Sequence, residues 1–341
     1  MRQISSSPQA RALLSWYATH RRHLPWRAAP GETADPYHVW LSEIMLQQTV
    51  VATVRPYYAK FLAAYPRIEN LAAASVEEVC AHWAGLGYYA RARNLHKCAQ
   101  AVAELGAFPQ TIEALRTLPG VGPYTANAIG AIAFKLPVLP VDGNIERVAS
   151  RIFAITTPLP AGKPEIAAAA QAFIQDKAAQ AAPGDFAQAL FDLGATICTP
   201  KSPNCPACPW KSHCHAHKEG IAASLPARAK KAARPHRIGT AYVLLDAADE
   251  VLLLRRPARG LLGGMLALPD EPPVKGRWRD AGSIEHVFTH FTLTLNVQVR
   301  RTRNLPAGAL SAPAASAPLP SVMRKALDAG RRALNDITNG E

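Results

Sequence analysis

Four of the six cysteines lie within one short segment, residues 198–214. Cys198, Cys205, Cys208 and Cys214 are separated by six, two and five residues. Four thiolates at such short intervals can hold a structural zinc ion or a [4Fe–4S] cluster. Zinc loops usually contain two C-x2-C pairs, whereas this segment contains one. The spacing predicts a metal centre of one of these two kinds.

Two carboxyl groups stand in settings that favour opposite protonation states. Glu43 has Val39, Trp40 and Leu46 as neighbours on a predicted helix, and apolar surroundings raise the pKa of a carboxyl group. Asp142 precedes a helical run as an N-cap does, and N–H groups at a helix start favour the ionised form. An acid and an anion can divide the work of breaking a glycosidic bond. A solvated glutamate and a purely structural N-cap are the alternatives.

The stretch LPGVGPYTANAIG, residues 118–130, places two glycines just before a helix. Gly120 and Gly122 allow positive φ and a close approach of the backbone to a partner. The helix that begins near Pro123 turns its free N–H groups and its positive dipole end outward. Together these features predict an anion site that suits a DNA phosphate, with an ordinary tight turn as the alternative.

The chain has 341 residues and a formal net charge of +13. This excess of Lys and Arg points to a polyanionic partner, nucleic acid first and an anionic membrane surface second. The N-terminus is too polar for a secretion signal, and no apolar run reaches the roughly 18 residues that span a membrane. We therefore expect a cytoplasmic protein with no membrane partner and, by default, a monomer.

Apolar residues recur with helical spacing from residue 8 to about 215. Asp35 is expected to cap a helix, and Ser75 with Glu78 forms a capping box. The predicted helical windows are 36–48, 50–65, 90–105, 123–134, 164–181 and 185–197.

The chain changes character after residue 215. Residues 216–237 are basic and alanine-rich, which predicts a linker. β-Rich segments follow from residue 238 and predict a small α+β domain. The Pro/Ala stretch 305–320 is expected to be a loose surface loop, and a last helix is expected from Ser321 onward.

Several stretches resemble known DNA repair enzymes. LPGVG, followed by a helix and then by VDGN at 141–144, resembles the helix-hairpin-helix superfamily of DNA glycosylases, which includes endonuclease III. VWLSEIMLQQT at 39–49, GLGYYARARNLH at 85–96 and the cysteine segment are similar to the MutY family of adenine DNA glycosylases. RRPARGLLGGMLALPD at 255–270 resembles the Nudix-like recognition domain of that family.

The resemblance implies a multidomain fold of the α plus α+β class. An all-helical helix-hairpin-helix glycosylase region with an iron–sulfur cluster loop would precede a small Nudix-like domain that recognises 8-oxoguanine. The cysteine spacing is that of the family's cluster loop, so the resemblance favours [4Fe–4S] over zinc. The implied boundaries are 1–215 for the helical region, with a six-helix barrel module at about 30–135 and an N-terminal and iron–sulfur module at about 1–29 and 136–215, then 216–237 for the linker and 238–341 for the last domain.

The resemblance also implies catalytic roles. In that family the glutamate matching Glu43 protonates the adenine ring, and the aspartate matching Asp142 stabilises or captures the cation at C1′. Asn144 and Tyr124 match the hydrogen-bonding partners of this aspartate. Related enzymes that also cut the strand carry a lysine in place of Tyr124, and an amine can form a Schiff base whereas a phenol cannot. A hydrolytic, monofunctional enzyme with no amine nucleophile in its pocket is therefore expected.

Further contacts are carried over from the same family. Thr289 stands where the family usually shows a serine, and it keeps the hydroxyl while adding a methyl group. The resemblance implies Gln48 and Tyr88 near the base opposite the adenine, and it implies that Phe288, Thr289 and His290 read 8-oxoguanine. It also implies Trp26 and Arg27 in the wall of the adenine pocket. The residues themselves suggest Leu46 as a further side chain that fills the gap in the duplex and Gly120 and Gly122 as phosphate contacts. Gln188 can pair with the edge of adenine, with a solvated helix glutamine as the alternative.

The expected function is hydrolysis of adenine from double-stranded DNA in which it is paired with 8-oxoguanine or guanine. One alternative is a bifunctional glycosylase and lyase acting on damaged pyrimidines. Another is a DNA-binding iron–sulfur protein without catalysis.

Overall fold

The computed structural model describes residues 8–229, 234–257, 260–288 and 290–338. Thr289 lies outside the described residues. The chain divides into two compact units, Met1–Ala229 and Lys230–Glu341. No helix of the described residues is both long enough and apolar enough to cross a membrane.

The first unit is helical, as the apolar spacing predicts. Asp35 caps α2 by accepting the Tyr37 N–H at 2.7 Å, and Ser75 with Glu78 forms the capping box of α5. The α-helices are α1 (Ala10–His20), α2 (Pro36–Leu46), α3 (Val51–Ala64), α4 (Ile68–Ala73), α5 (Val76–His82), α6 (Tyr89–Leu105), α7 (Ile112–Leu115), α8 (Pro123–Ile132), α9 (Gly143–Ile152), α10 (Lys163–Gln171), α11 (Lys177–Ala181), α12 (Pro183–Thr196) and α13 (His215–Lys218).

The predicted window 164–181 is divided rather than continuous. A 3₁₀ turn at Ala172–Gln175 follows α10, and α11 begins anew after it. Asp176 accepts the Ala178 N–H at 2.7 Å, which starts a second helix. Alanine-rich sequence cannot reveal such a break because alanine favours the helix on both sides of it.

Two apolar cores fill the helical unit. The first core gathers side chains between residues 24 and 133, among them Trp40 and Trp83, which are fully buried. The second joins α1 to residues 139–225 and includes Trp210, which is also fully buried. The helices α2, α8, α9 and α12 contribute to these cores, so they have fixed positions from which to present polar side chains.

Most of the predicted linker, residues 216–229, belongs to the helical unit. Its first part forms α13 and a 3₁₀ turn at Ala222–Ser224. The Leu159 N–H donates to the Ala227 carbonyl at 2.8 Å, and the Ala229 N–H donates to the Leu159 carbonyl at 3.1 Å. These paired backbone groups make residues 216–229 part of the helical unit, a tertiary pairing that composition does not show.

The second unit is a mixed sheet with one helix against it. The order is β3-β2-β1-β5-β4 with β6 beside β2, and β1 and β5 are parallel while the other pairs are antiparallel. The last helix begins at Ser321 as expected and packs on β1, β4 and β5. The elements are β1 (His236–Leu245), β2 (Glu250–Arg255), β3 (Leu266–Ala267), β4 (Arg279–Val287), β5 (Thr292–Arg301), β6 (Leu310–Pro313) and α14 (Ser321–Thr338).

The Pro/Ala stretch 305–320 is not a loose loop. It contains β6, which pairs with β2, and Ala314 and Ala317 are buried in the core of the unit. Small apolar side chains fit where the chain passes close to the sheet, so low complexity here reflects tight packing.

Candidate active site

A cavity of about 850 Å³ opens in the helical unit. This volume lies in the range of ligand sites, about 300–1,000 Å³. Helices α2 and α12, the first turns of α8 and α9 and the loops after α1 and α2 contribute to its wall. The predicted residues that line it are Trp26, Arg27, Glu43, Leu46, Gln48, Tyr88, Tyr124, Asp142, Asn144 and Gln188.

Glu43 lies on α2 in this wall, and only 8% of its surface is exposed. Burial raises the pKa of Glu43 to about 7, against a hydrogen bond from Tyr124; the Asp142 carboxylate adds to the rise, and Arg27 opposes it. Near neutral pH the carboxyl group therefore holds a proton for a large part of the time. This is the acid that the apolar neighbours of Glu43 predict.

Asp142 is the N-cap of α9 and lines the same cavity. Its Oδ1 accepts the N–H groups of Asn144 at 2.9 Å and Ile145 at 2.8 Å, and its Oδ2 accepts the Asn144 side-chain amide at 2.8 Å. Burial nevertheless raises the pKa of Asp142 above its ordinary value, because these three bonds and the nearby Arg147 offset the loss of water only in part. The predicted N–H donors are present, but burial outweighs them and the pKa of Asp142 is raised.

Tyr124 occupies the first turn of α8 and lines the cavity with both carboxyl groups. Its side chain hydrogen-bonds to Glu43, and burial together with the charges of Glu43 and Asp142 raises the pKa of Tyr124 well above its ordinary value. The phenol is therefore neutral and donates its O–H. A neutral donor thus stands where strand-cutting relatives carry an amine.

An amine does reach the cavity, contrary to the expectation of a pocket without one. Lys163, the first residue of α10, lines the wall. Its Nζ lies 3.4 Å from the Glu146 carboxylate, and 66% of the lysine side chain is exposed. The lysine thus forms an ion pair with Glu146 at the cavity wall.

The two glycines before α8 differ. Gly120 has φ of 76°, and a Cβ there would come within 2.9 Å of the Asn94 side chain, so this position requires glycine. Gly122 has φ of −86°, which any residue adopts, so the expected positive φ is wrong there. Open space surrounds Gly122, which leaves the start of α8 accessible to a partner. Neither glycine lines the cavity.

Two arginines on α9, which the sequence analysis missed, connect Asp142 to the cysteine segment. Arg147 donates to the Asn144 side chain at 2.8 Å and to the Cys198 carbonyl at 2.7 Å. Arg151 is 1% exposed and donates to the Cys198 Sγ at 3.2 Å. Arg147 and Arg151 are four residues apart, and this spacing is the signal that could have indicated a shared helix face.

All four cysteines of the segment line one small pocket beside α9. Each is a free thiol. Among the described residues, no three His, Cys, Asp or Glu side chains are arranged to hold a single metal ion. The four thiols therefore share the lining of one pocket.

Comparison with known proteins reveals two family matches and close relatives. Residues 41–189 match the HhH-GPD superfamily base excision DNA repair proteins, and residues 240–329 match the NUDIX domain. A Mycolicibacterium smegmatis protein named adenine DNA glycosylase is 39% identical over 218 residues, covering 63% of this chain and 72% of that protein. A Mus musculus protein of the same name is 36% identical over 360 residues, covering 84% and 69%.

The chain belongs to the adenine DNA glycosylase family. Solved structures agree with the fold expected for it. A thermostable thymine-DNA glycosylase matches with a TM-score of 0.52 and 28% identity, over 62% of this chain and 95% of that one. Endonuclease III in a non-covalent complex with DNA matches with a TM-score of 0.50 over 62% and 94%, and its 20% identity shows the fold alone. The family resemblance and the fold class read from the sequence are confirmed.

The remaining predicted residues of this family member lie in the second unit, at the turn between β4 and β5. The ring of Phe288 stacks on Phe291 with centroids 4.8 Å apart, and the Phe288 N–H donates to the Phe291 carbonyl at 2.9 Å. His290 is exposed. The turn therefore has a rigid aromatic base and a solvent-facing histidine.

A buried carboxylate on α12 holds the predicted adenine-pocket segment in place, and the sequence analysis missed it. Asp192 is fully buried and accepts from Arg27 at 2.7 and 2.8 Å and from the Arg22 N–H at 2.9 Å. Burial alone would raise the pKa of Asp192, but Arg27 and Arg22 hold it below its ordinary value. The ion pair fixes residues 22–27 against α12 at the cavity wall.

We expect Glu43→Gln to change how stability depends on pH. The folded state holds a proton on Glu43 up to about pH 7, whereas the unfolded chain loses it near 4.5. The wild type therefore loses up to about 3 kcal/mol of unfolding free energy between pH 4 and pH 9, and the glutamine variant does not. Urea denaturation across this range measures the difference, and parallel curves for the two proteins would contradict the assignment.

We expect Asp192→Asn to lower the free energy of unfolding at pH 7 by about 3 kcal/mol, because it leaves the nearly buried Arg27 without its charge partner. The matched control is Glu69→Gln, which breaks the exposed ion pair with Arg67. This control should leave stability unchanged. Equal effects of the two substitutions in urea denaturation would show that the buried pair has no special role.

Proposed function

We propose that this chain is a monofunctional glycosylase that hydrolyses the N-glycosidic bond of adenine in duplex DNA, where adenine is paired with 8-oxoguanine or guanine. The observation that carries the proposal is that Glu43 and Asp142 line one cavity, with Tyr124 hydrogen-bonded to Glu43 in the same wall. The relatives named adenine DNA glycosylase supply adenine as the base. The opposite base rests on the resemblance of the second unit to the Nudix-like recognition domain.

Glu43 is the proposed general acid. The anion of a purine is a poor leaving group, so a ring nitrogen must be protonated before the bond breaks. The raised pKa of Glu43, about 7, keeps a proton available at neutral pH, and the Tyr124 O–H orients the carboxyl group. As the C1′–N9 bond breaks, its electron pair goes to the protonated base, which leaves as neutral adenine.

Asp142 is the proposed anion at the sugar. Loss of adenine leaves positive charge on C1′ and the ring oxygen, and a carboxylate held by three donors opposes that charge without having to reorganise. Water then bonds to C1′ and gives up a proton, which restores the Glu43 carboxyl group. The products are free adenine and an abasic site, and the strand stays intact.

The adenine pocket is proposed on the side of α12. Gln188 is 8% exposed and lines the cavity, and a carboxamide can pair with the edge of adenine. Trp26 is also buried, edge-on to Tyr58 with centroids 5.4 Å apart, and offers a rigid aromatic wall. A base must leave the duplex to reach this depth.

We propose a [4Fe–4S] cluster at Cys198, Cys205, Cys208 and Cys214. Four free thiols around one pocket fit its four iron atoms, and the Arg151 N–H that points to a sulfur fits a thiolate ligand. When bound, the cluster would brace the segment that carries Lys201 and Lys211. Cytoplasmic location and a monomeric state stay predictions.

Excision assays test the main proposal. Matched duplexes carrying adenine opposite 8-oxoguanine, guanine, cytosine and thymine should be cleaved only in the first two cases, after alkali opens the abasic site. Glu43→Gln and Asp142→Asn should each lower the single-turnover rate at least about 100-fold. Excision that survives both substitutions would refute the assigned roles.

Borohydride trapping separates the bifunctional alternative from the main proposal. The wild type should give little covalent adduct because Tyr124 cannot form a Schiff base. Lys163→Gln provides the control, since its amine lies in the cavity wall. An efficient adduct that persists in Lys163→Gln would support a different lysine nucleophile and the lyase alternative.

We expect purified protein to be yellow-brown, with four iron and four sulfide per chain. Cys208→Ala should lose the colour and bound iron, while the control Cys80→Ala should keep both because Cys80 lies outside the cysteine pocket. Metal analysis and the visible absorption spectrum provide the measurement. An active, colourless protein with one zinc per chain would overturn the cluster assignment.

A further inference from the structure

Two loops at the edge of the cavity contain residues with left-handed backbone. Gln48, between α2 and α3, has φ of 58°, and Tyr88, just before α6, has φ of 51°. Residues other than glycine rarely adopt positive φ, so neighbouring groups must hold these two residues in that conformation. Val50, in the first of these loops, is 69% exposed, and Tyr88 is 61% exposed. All three residues line the cavity.

One guanidinium, that of Arg91 in the first turn of α6, holds both loops. In the last turn of α2 it reaches the carbonyls of Ile44 at 3.2 Å and Met45 at 3.1 Å. In the loop that follows it reaches the Gln47 carbonyl and the Thr49 Oγ1, the latter at 3.2 Å. The acceptors on the loop before α6 are the carbonyls of Leu86 at 3.1 Å and Gly87 at 3.4 Å.

The Arg91 charge is directed at these loops and at aromatic rings. Its guanidinium lies 5.3 Å from the Trp83 ring centroid and 5.4 Å from that of Tyr88. Among the described residues no carboxylate forms an ion pair with it. A planar fork of N–H donors can bind carbonyls on two sides at once, which a lysine ammonium cannot do with the same geometry.

We propose that Arg91 is the positioning residue that holds Gln48, Val50 and Tyr88 as one insertion edge, which enters the duplex at the gap left by the extruded base. The edge offers an amide, an exposed branched apolar side chain and an aromatic ring, the groups that fill such a gap and separate stacked bases. Val50 is a duplex contact that the sequence analysis missed. The inference rests on the proposed function, since it assumes a DNA substrate.

The test uses a duplex with 2-aminopurine beside the target adenine, because this base fluoresces when it is unstacked. Full-length protein with Glu43→Gln, which blocks excision, is added at saturation. We expect the fluorescence to rise on binding, and the rise to fall at least about threefold when Arg91→Lys is added to the same protein. The control is Arg93→Met, an exposed arginine on the same helix, which should leave the rise unchanged.

A second variant does not depend on how well Arg91→Lys folds. Val50→Ala changes an exposed side chain, and it should reduce the fluorescence rise about twofold or more while DNA affinity by anisotropy stays within about threefold of the parent. An unchanged rise in both variants would overturn the proposal. Loss of DNA binding by Arg91→Lys in step with the fluorescence would also overturn it, because the role would then be general folding.

Failure of the proposed function is distinguishable from failure of this inference. The fluorescence signal reports insertion and needs no chemistry, whereas excision by the wild type tests the reaction. A wild type that releases no adenine but still unstacks the 2-aminopurine through Arg91 would refute the proposed reaction and support the insertion edge.

Discussion

The placement of two carboxyl groups in one cavity constrains the rest of the helical unit. Glu43 is buried and Asp142 is partly buried. The Asp142 charge makes ionisation of Glu43 less favourable, which is part of why the pKa of Glu43 reaches about 7. Such a pair is stable when one group keeps its proton and the other receives hydrogen bonds. Tyr124 supplies a donor to the first, and the start of α9 supplies donors to the second. Three helices must therefore meet with their first turns or polar faces at one point.

The helix α9 carries this constraint to the cysteine pocket. Its ten residues span about 15 Å, from the Asp142 cap to the end that contacts the cysteine segment. Arg147 touches both Asn144 and the Cys198 carbonyl, so the carboxylate and the loop are connected through one side chain. A metal centre in the loop would hold together the part of the second core that packs against the four cysteines. The metal centre would then help to position the Asp142 carboxylate through α9, and this effect needs no electron transfer.

The sequence predicted the parts that depend on local pattern. Apolar spacing located α2 and the burial of Glu43, N-cap chemistry located Asp142, and the β-rich composition after residue 238 indicated the sheet of the second unit. It missed Arg91, Asp192 and the β6 pairing, because each depends on partners far away in the chain: Asp192 pairs with Arg27, and β6 pairs with β2. Gly122 and Lys163 are further features that the sequence did not predict correctly: the φ of Gly122 is negative, and the amine of Lys163 reaches the cavity wall. The motif indicated the residue type, but only the folded backbone fixes φ and decides which side chains line a cavity.

Strain by itself does not mark a functional segment in this molecule. Left-handed backbone also occurs at Lys135 and Asp249, which do not line the cavity. What distinguishes Gln48 and Tyr88 is that one arginine, without a carboxylate partner among the described residues, holds the loops of both. Burial of the charged guanidinium costs free energy, and six neutral acceptors offset that cost here. This cost of burying the Arg91 charge has a reason if the two loops must keep their conformation while they displace stacked bases. A flexible loop would change its own conformation instead of separating the bases.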